Sequence, residues 1–324
     1  MGAARAAAAL EAAGLPCATG APLSSRAYWR LGGPAELYAE VDSIDALVRA
    51  VQIARAHGLA VTPLGNGSNL LIADAGVPGL VVRLMGQLRD AEIDEAEGVA
   101  RVGAGLLNAV LLKRLERAGW AGLGCLAGVP GTMGGAVRMN AGTALGALAD
   151  VLIDVQVVDA EGAVRTLPAA ALGMRYRWAE LPVGAIVARA TVRLHRDGDG
   201  AERAAVAHHI ARRAATQPLD QPSCGSVFKN PPGDFAGRLI EACGLKGTRV
   251  GGAQISDKHA NFIVNTGGAT AAEVLALIRA ARDAVFARFG VDLEPEVHAA
   301  GAWGSDWPLP PVAAARAPSP GAQP

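Results

Sequence analysis

Residues 122–142 read GLGCLAGVPGTMGGAVRMNAG, from Gly122 to Gly142, with glycines recurring every few positions around one proline, Pro130. Glycine lets the main chain take positive φ and lets a ligand lie directly on peptide N–H groups, which is how a phosphate is held without a dedicated cation. A flexible linker would carry serine and charge. This run instead carries Leu126, Val129, Met133, Val137 and Met139, so it reads as a ligand-facing loop with a buried back.

Working outward, Leu106 to Ala118 is a helix that leads into the loop, strands are expected near 90 and 100, and paired strands follow at 151–158 and 163–167. Ile186 to Leu194 closes this second α/β unit as an apolar strand. Upstream, AYWRLGGPAELYAEV (27–41) predicts a hairpin turning at Gly32-Gly33-Pro34. Ser43 caps a helix with Ile44, Leu47, Val48 and Val51 on one face, and Gly58 stops it. Leu59 to Leu64 is a strand, Gly65-Asn66-Gly67-Ser68-Asn69 a tight turn, and Leu70 to Ile72 with Leu80 to Leu84 resume the same sheet. Downstream, Ala201 to Ala215 is a helix that passes through Pro218 and Pro222 into a third region. There Asp234 is expected to cap a helix through Cys243, and Thr270 with Glu273 forms a capping box opening a helix to Phe289. Strands are expected near 261–264 and 291–298. After Gly301 the proline- and alanine-rich composition predicts a frayed tail.

Bulk properties narrow the partner. The 324 residues are 51% hydrophobic, enough for real cores, and 30 basic against 30 acidic side chains give zero formal net charge. No diffuse pull on nucleic acid or an anionic membrane follows, so the partners are small molecules. Cys17, Cys125, Cys224 and Cys243 show neither CxxC nor CxxH spacing, which predicts no metal and no disulfide framework, and a reducing, cytoplasmic setting. The opening MGAARAAAALEAAG is too short for a membrane helix and reads as a surface helix.

Familiar nucleotide signatures fail. GNGSNL has Leu70 at the third glycine position of G-x-G-x-x-G and continues as strand, while GLGCLA follows a helix and meets Pro130. No G-x-x-x-x-G-K-[ST] occurs. Two phosphate-compatible loops therefore serve a nucleotide in another fold. Three further stretches carry reactive groups: Tyr176 and Arg177 in MRYRWAEL; Ser226, Lys229 and Asn230 in CGSVFKNP; and Glu294 and Glu296 in LEPEVHAAG, on one face of a strand by period two. No G-x-S-x-G elbow is present, and no histidine is placed locally to activate a serine.

The ordered set GGPAELY, GNGSNLLI, VPGTMGGAVRMNAG, YRW, CGSVFKNP, AGRLIEACGLKG, GGAQISDKHANFIVN and LEPEV, over roughly residues 20 to 300, resembles the UDP-N-acetylenolpyruvoylglucosamine reductases, flavoenzymes of peptidoglycan precursor synthesis. The resemblance implies an α/β fold: a two-subdomain FAD-binding fold of the vanillyl-alcohol-oxidase (PCMH-type) kind plus a third α/β substrate-binding domain. It divides the chain into 20–85 and 86–197 (FAD-binding), 198–301 (substrate-binding) and a disordered tail, 302–324. It implies non-covalent FAD held by Gly65, Asn66, Gly67, Ser68, Asn69, Pro130, Gly131, Thr132, Gly134 and Gly135. NADPH would reduce the flavin, and the enolpyruvyl UDP-sugar would then take its place, contacted by Tyr176, Lys229, Asn230 and His259. Arg177 matches the arginine that steadies charge on the substrate carboxylate, Ser226 the proton donor, tuned by Lys229 or a water, and Glu296 the remaining catalytic carboxylate.

Two positions depart from the pattern, Ala179 where the family has serine and His298 where it has arginine. The first is expected to loosen Arg177 and the second to alter the charge near Glu296. No tyrosine lies between Arg177 and Ser226, which matches the type II form lacking a substrate-clamping loop. The implied enzyme is monomeric. Rival readings are an FAD-linked alcohol oxidase of the same fold and a silent UDP-sugar-binding module. Flavin release by acid and flavin bleaching by NADPH discriminate them.

Overall fold

The structure, a computed structural model, describes residues 2–309 and divides into two compact units. Among the described residues the first comprises 2–22, 34–68 and 77–215; the second, 23–33, 69–76 and 216–309. Of the stretches 20–85 and 86–197 expected from the sequence, all but 23–33 and 69–76 lie in the first unit, which continues to 215.

In the first unit, helix α1 (Gly2–Ala12) buries Ala6 and Leu10, so the opening segment is anchored by one face. A four-stranded sheet has the order Cys17–Pro22, Pro34–Val41, Val77–Leu84, Val61–Pro63; its first pair is antiparallel and the other two are parallel. The hairpin therefore forms between 17–22 and 34–41, not within 27–41, because 27–33 leaves for the second unit. Helix α2 (Ile44–Ala56) is capped by Ser43, whose Oγ accepts from Ala46 N at 3.2 Å, and buries Leu47 and Val51. A five-stranded antiparallel sheet has the order Val164–Pro168, Leu152–Val158, Ile186–Arg193, Val99–Gly103, Ala91–Asp94. Leu37, Leu47, Leu80 and Val82 from the first sheet and its helix join Val102, Val155 and Val192 of the second in one apolar cluster, the dominant source of stability here. Helix α3 (Asn108–Arg117) precedes the glycine stretch, and the short α4 (Met133–Arg138) lies within it. Helix α5 (Ala201–Thr216) buries no residue fully.

The second unit contains α6 (Ala236–Ala242), a three-stranded antiparallel sheet (Arg249–Val250, Ala253–Ile255, Ile263–Asn265) and α7 (Ala271–Phe289). Alternation cannot expose Ala253–Ile255, since all three residues are buried. The Thr270–Glu273 capping box forms as expected, and Asp74 adds two more acceptors, for Ala271 N at 2.8 Å and Ala272 N at 3.0 Å. Four orphan N–H groups at a helix start need such partners. Asp234 does not cap α6; Phe235 holds that position, while Asp234 accepts from Phe235 N at 2.7 Å and pairs with Arg238.

Two excursions complete this unit. Leu70–Ile72 does not resume the first sheet but pairs in parallel with His298–Ala300, 228 residues on by the Leu70–His298 register. Trp29, fully buried, donates from Nε1 to Ile263 O at 2.6 Å, and Asn265 donates from Nδ2 to Trp29 O at 2.8 Å. The expected strand at 291–298 is reduced to a bridge between Phe228 and Pro295, with pairing resuming at His298; Pro295 has no N–H for a ladder. Residues 303–309 of the expected tail are held: Trp303 Nε1 donates to Ala300 O, Arg279 pairs with Asp306 at 2.8 Å, and Trp303, Trp307 and Leu309 pack on the core. Residues 310–324 of the expected tail lie outside the described residues. Among the described residues no helix is long and apolar enough to cross a membrane.

Candidate active site

In the first unit the two glycine loops meet. Ser68 Oγ donates to Pro130 O at 3.1 Å, a Cβ on Gly65 would lie 2.8 Å from Thr132 Oγ1, and one on Gly131, at φ 122°, would lie 2.9 Å from Ser68 Oγ. Glycine at 65 and 131 is thus required by the mutual approach of the loops before any ligand is considered. The far loop is braced from behind: Asn108 N donates to Gly131 O, Met133 N to Leu106 O and Gly134 N to Ala104 O, all within 3.0 Å. Thr132, at the N-cap of α4, is buried.

The head of the same stretch is closed by the protein's own carboxylate. Glu202, in the first turn of α5, accepts from Gly122 N at 3.0 Å and Gly124 N at 2.8 Å, and pairs with His195 at 3.3 Å. The N–H groups of Gly122 and Gly124 are thus already satisfied within the protein, which the glycine pattern did not disclose. A buried Cys125, its thiol pushed up to about 12 by burial first and then by Asp150, backs the loop as an inert apolar group.

Arg177 sits at the tip of a tight turn closed by reciprocal backbone bonds between Arg175 and Trp178, both 3.0 Å. Its φ of 57° is left-handed, a conformation a side chain adopts at a cost of about 1–2 kcal/mol and that persists when the surroundings impose it. They do so through residues just after the glycine loop. Arg138 stacks its guanidinium 4.4 Å from the Trp178 ring centroid and donates to Ala179 O at 2.9 Å, while Asn140 Nδ2 donates to Arg175 O at 3.1 Å. Ala179 is fully buried and bonded to Arg138 through its N–H and its carbonyl, so the turn is held without a serine hydroxyl there. Tyr176 is 53% exposed, with the Arg177 guanidinium 5.0 Å from its ring centroid.

Arg213, near the end of α5, also belongs to this surroundings: a Cβ on Gly128 would meet its Cδ at 3.0 Å, and burial, followed by the charge of Arg177, lowers its pKa. Arg138, Asn140 and Arg213 were not among the residues marked by the sequence. Each is an ordinary polar residue whose partner lies 35 or more positions away, or, for Arg213, a single cation in a helix that reads as solvated.

In the second unit, CGSVFKNP and LEPEV run side by side. Glu296 N donates to Val227 O at 2.7 Å and Lys229 N to Glu294 O at 2.9 Å, which brings the Ser226 and Glu296 segments together. Gly225, at φ 75°, turns the chain into Ser226, which is half-buried. The buried Asn261 spans the Phe228 peptide, accepting from Phe228 N and donating to Phe228 O, both at 2.9 Å. Asn69, the last residue of GNGSN, belongs to this unit and donates from Nδ2 to Glu296 O at 3.1 Å.

The substrate-contact set also finds definite places. Lys229 Nζ pairs with Glu294 Oε1 at 2.7 Å, so its charge is already shared with a carboxylate. Asn230 Oδ1 accepts from Ala236 N at 3.1 Å and steadies the start of α6. His259 Nδ1 accepts from Asn261 N at 3.2 Å, a bond that needs that nitrogen unprotonated, and the ring meets Phe262 edge-on at 4.9 Å. Cys224 is buried, donates to Leu70 O at 3.5 Å, and burial pushes its thiol up to about 12, the profile of a filler rather than a nucleophile.

Comparison with known proteins agrees along the chain. Residues 35–168 match the model of an FAD binding domain, and residues 217–300 that of the UDP-N-acetylenolpyruvoylglucosamine reductase C-terminal domain. A UDP-N-acetylenolpyruvoylglucosamine reductase of Anaeromyxobacter dehalogenans (strain 2CP-C) is 49% identical over 88% of this chain and 86% of its own. One from Moorella thermoacetica is 46% identical over 88% of this chain and 93% of its own. The crystal structure of UDP-N-acetylenolpyruvylglucosamine reductase from Thermus caldophilus superposes with a TM-score of 0.75 at 39% identity, covering 88% of this chain and 98% of that one.

Proposed function

Because the chain belongs to the UDP-N-acetylenolpyruvoylglucosamine reductase family, we propose that Arg177, Ser226 and Glu296 carry out an NADPH-dependent, FAD-mediated reduction of the enolpyruvyl group of UDP-N-acetylglucosamine enolpyruvate to UDP-N-acetylmuramate. The residues present fit the cofactor. The Gly65–Ser68 and Pro130–Gly135 loops approach each other so closely that added Cβ atoms at 65 and 131 would fill the junction, leaving a backbone-lined surface suited to a pyrophosphate. FAD, when bound, supplies a hydride received from NADPH to the substrate's terminal enolpyruvyl carbon.

The remaining work falls to side chains. Negative charge builds at the carbon bearing the carboxylate, where the Arg177 guanidinium, preset by its left-handed turn, is worth most. Ser226 Oγ donates the proton to that carbon. A serine is a weak acid by itself, and with the Lys229 ammonium paired to Glu294, a water or Glu296 is the better source for reprotonating it. The observation that supports this reading is the backbone bond from Glu296 N to Val227 O, which runs the segment bearing the candidate carboxylate alongside the segment bearing the candidate hydroxyl. In this reading Tyr176, Asn230 and His259 are substrate contacts, and Asn66, Gly67 and Thr132 are among the flavin contacts.

Two half-reactions separate the roles. Ser226→Ala is expected to bind FAD and accept hydride from NADPH near the wild-type rate, with a loss of about 10²–10⁴-fold confined to flavin reoxidation by the enolpyruvyl substrate. Rapid-mixing absorbance measures each step. Equal slowing of both would make Ser226 a packing or binding residue. The enzyme acts as a cytoplasmic monomer in this reading; four free cysteines fit a reducing compartment, and light scattering of the purified protein tests the monomer.

A further inference from the structure

Both polar groups of the Glu296 peptide are taken, and from different sides. Its N–H donates to Val227 O at 2.7 Å, in the segment that bears Ser226, and its carbonyl accepts from Asn69 Nδ2 at 3.1 Å. Asn69 holds the next turn of the chain as well, its own carbonyl accepting from His298 N at 3.0 Å. The side chain of Asn69 thereby extends the parallel pairing of Leu70–Ile72 with His298–Ala300 by one bond, beyond where backbone alone can reach.

We propose that Asn69 is a positioning residue for Glu296: by fixing the Glu296 carbonyl it sets the direction of that carboxylate, and it does so from the end of the loop whose first four residues serve the flavin. The inference rests on the catalytic role proposed for Glu296. Its physical basis is that a half-buried residue with both peptide groups bonded has few backbone rotations left, whereas freeing the carbonyl restores them. Glycines and a serine precede Asn69 in GNGSN, so its amide is the only group in the motif able to donate from a carboxamide so close to the strand start, Asn66 lying three positions earlier.

Asn69→Asp keeps the size and shape of the side chain but replaces the donor with an oxygen facing a carbonyl. Asn69→Ala removes the donor without the repulsion. A packing role would leave Asp harmless and Ala damaging; a positioning role makes Asp the worse of the two. With the flavin-loaded enzyme, reoxidation by the enolpyruvyl substrate is expected to slow about tenfold in Asn69→Ala and further in Asn69→Asp, the span of one hydrogen bond lost and then opposed. Because Asn69 also ends a loop expected to hold FAD, flavin content is measured and both rates are taken per bound flavin, and the loss in reoxidation is expected to exceed any loss in flavin reduction by NADPH several-fold. Amide exchange in the ligand-free protein gives a readout apart from activity, with the Glu296 and His298 N–H groups exchanging faster in Asn69→Asp.

A double-mutant cycle with Glu296→Gln completes the test. If Asn69 acts through Glu296, Asn69→Asp adds little to the loss already present in Glu296→Gln. Full additivity, or equal slowing of both half-reactions, overturns the positioning role while leaving Glu296 in place. If Glu296→Gln reoxidises at the wild-type rate, the role proposed for Glu296 falls and takes this inference with it.

Discussion

The glycine loops of the first unit and the Ser226–Glu296 segments of the second are held by opposite means. The loops are shaped by what is missing: no Cβ at Gly65 or Gly131, so that Thr132 and Ser68 can close in. The Ser226 and Glu296 segments are shaped by what is added, two asparagines whose amides grip peptide groups far away in sequence, Asn261 on Phe228 and Asn69 on Glu296. Omission is a steric condition that any added side chain must displace a neighbour to meet; addition is a hydrogen-bond condition and fails by degrees.

The sharpest way to break that contrast is Gly131→Val. At φ 122°, with its new Cβ 2.9 Å from Ser68 Oγ, valine meets both a backbone and a contact penalty, so the variant is expected to purify with little flavin. A fully yellow Gly131→Val protein, judged by the ratio of visible to ultraviolet absorbance, would show that the loop yields. Less drastic is Asn261→Ala, which strands a buried N–H and a buried carbonyl on Phe228. About 2–4 kcal/mol of stability should go, read from urea unfolding of the whole chain, and a loss below about 0.5 kcal/mol would mean that the segment has other supports.

The smallest effect concerns Asp234, away from both regions. The Arg238 guanidinium, foremost, and the Phe235 N–H hold its carboxyl down to about 2. A carboxylate with a depressed folded pKa contributes stability that is present above its unfolded value near 4 and is lost as pH falls through about 2. Both partners are solvent-facing, so the effect is slight. Arg238→Ala should lower stability slightly at pH 7 and converge on the parent below about pH 2, flattening the profile between about pH 4 and 2, as acid titration of the unfolding midpoint would show.

How far the sequence disclosed these features follows from the same contrast. The Thr270–Glu273 box was legible because cause and effect sit three residues apart, and GNGSN and the Pro130–Gly135 run because glycine spacing marks a loop, although the contacts that require those glycines are distant in sequence. Arg177, Ser226 and Glu296 were marked by resemblance, and the structure joins the last two through adjacent backbone. Arg138, Asn140 and Asn261 stayed hidden, since nothing local distinguishes an asparagine that grips a distant peptide from one that faces water. Glu202 hid for a similar reason: a glutamate in a first helical turn is ordinary until its acceptors are seen on Gly122 and Gly124. The strand at 70–72 was read correctly as strand and assigned to the wrong sheet, because local pattern fixes pleat but not partner.

The two excursions of the second unit have a practical consequence for anyone who would cut this chain. A fragment starting at residue 217, where the reductase C-terminal match begins, would carry α6, α7 and the Ser226–Glu296 segments yet leave behind Trp29, Asn69, Leu70–Ile72 and Asp74. It would expose the edge of His298–Ala300, open a hole the size of an indole beside Ile263 and strip the two Asp74 acceptors from the start of α7, leaving the Thr270–Glu273 box. Scission by protease in the 216–222 stretch, by contrast, would sever one covalent link and remove none of those contacts, so the nicked halves should stay together until denatured.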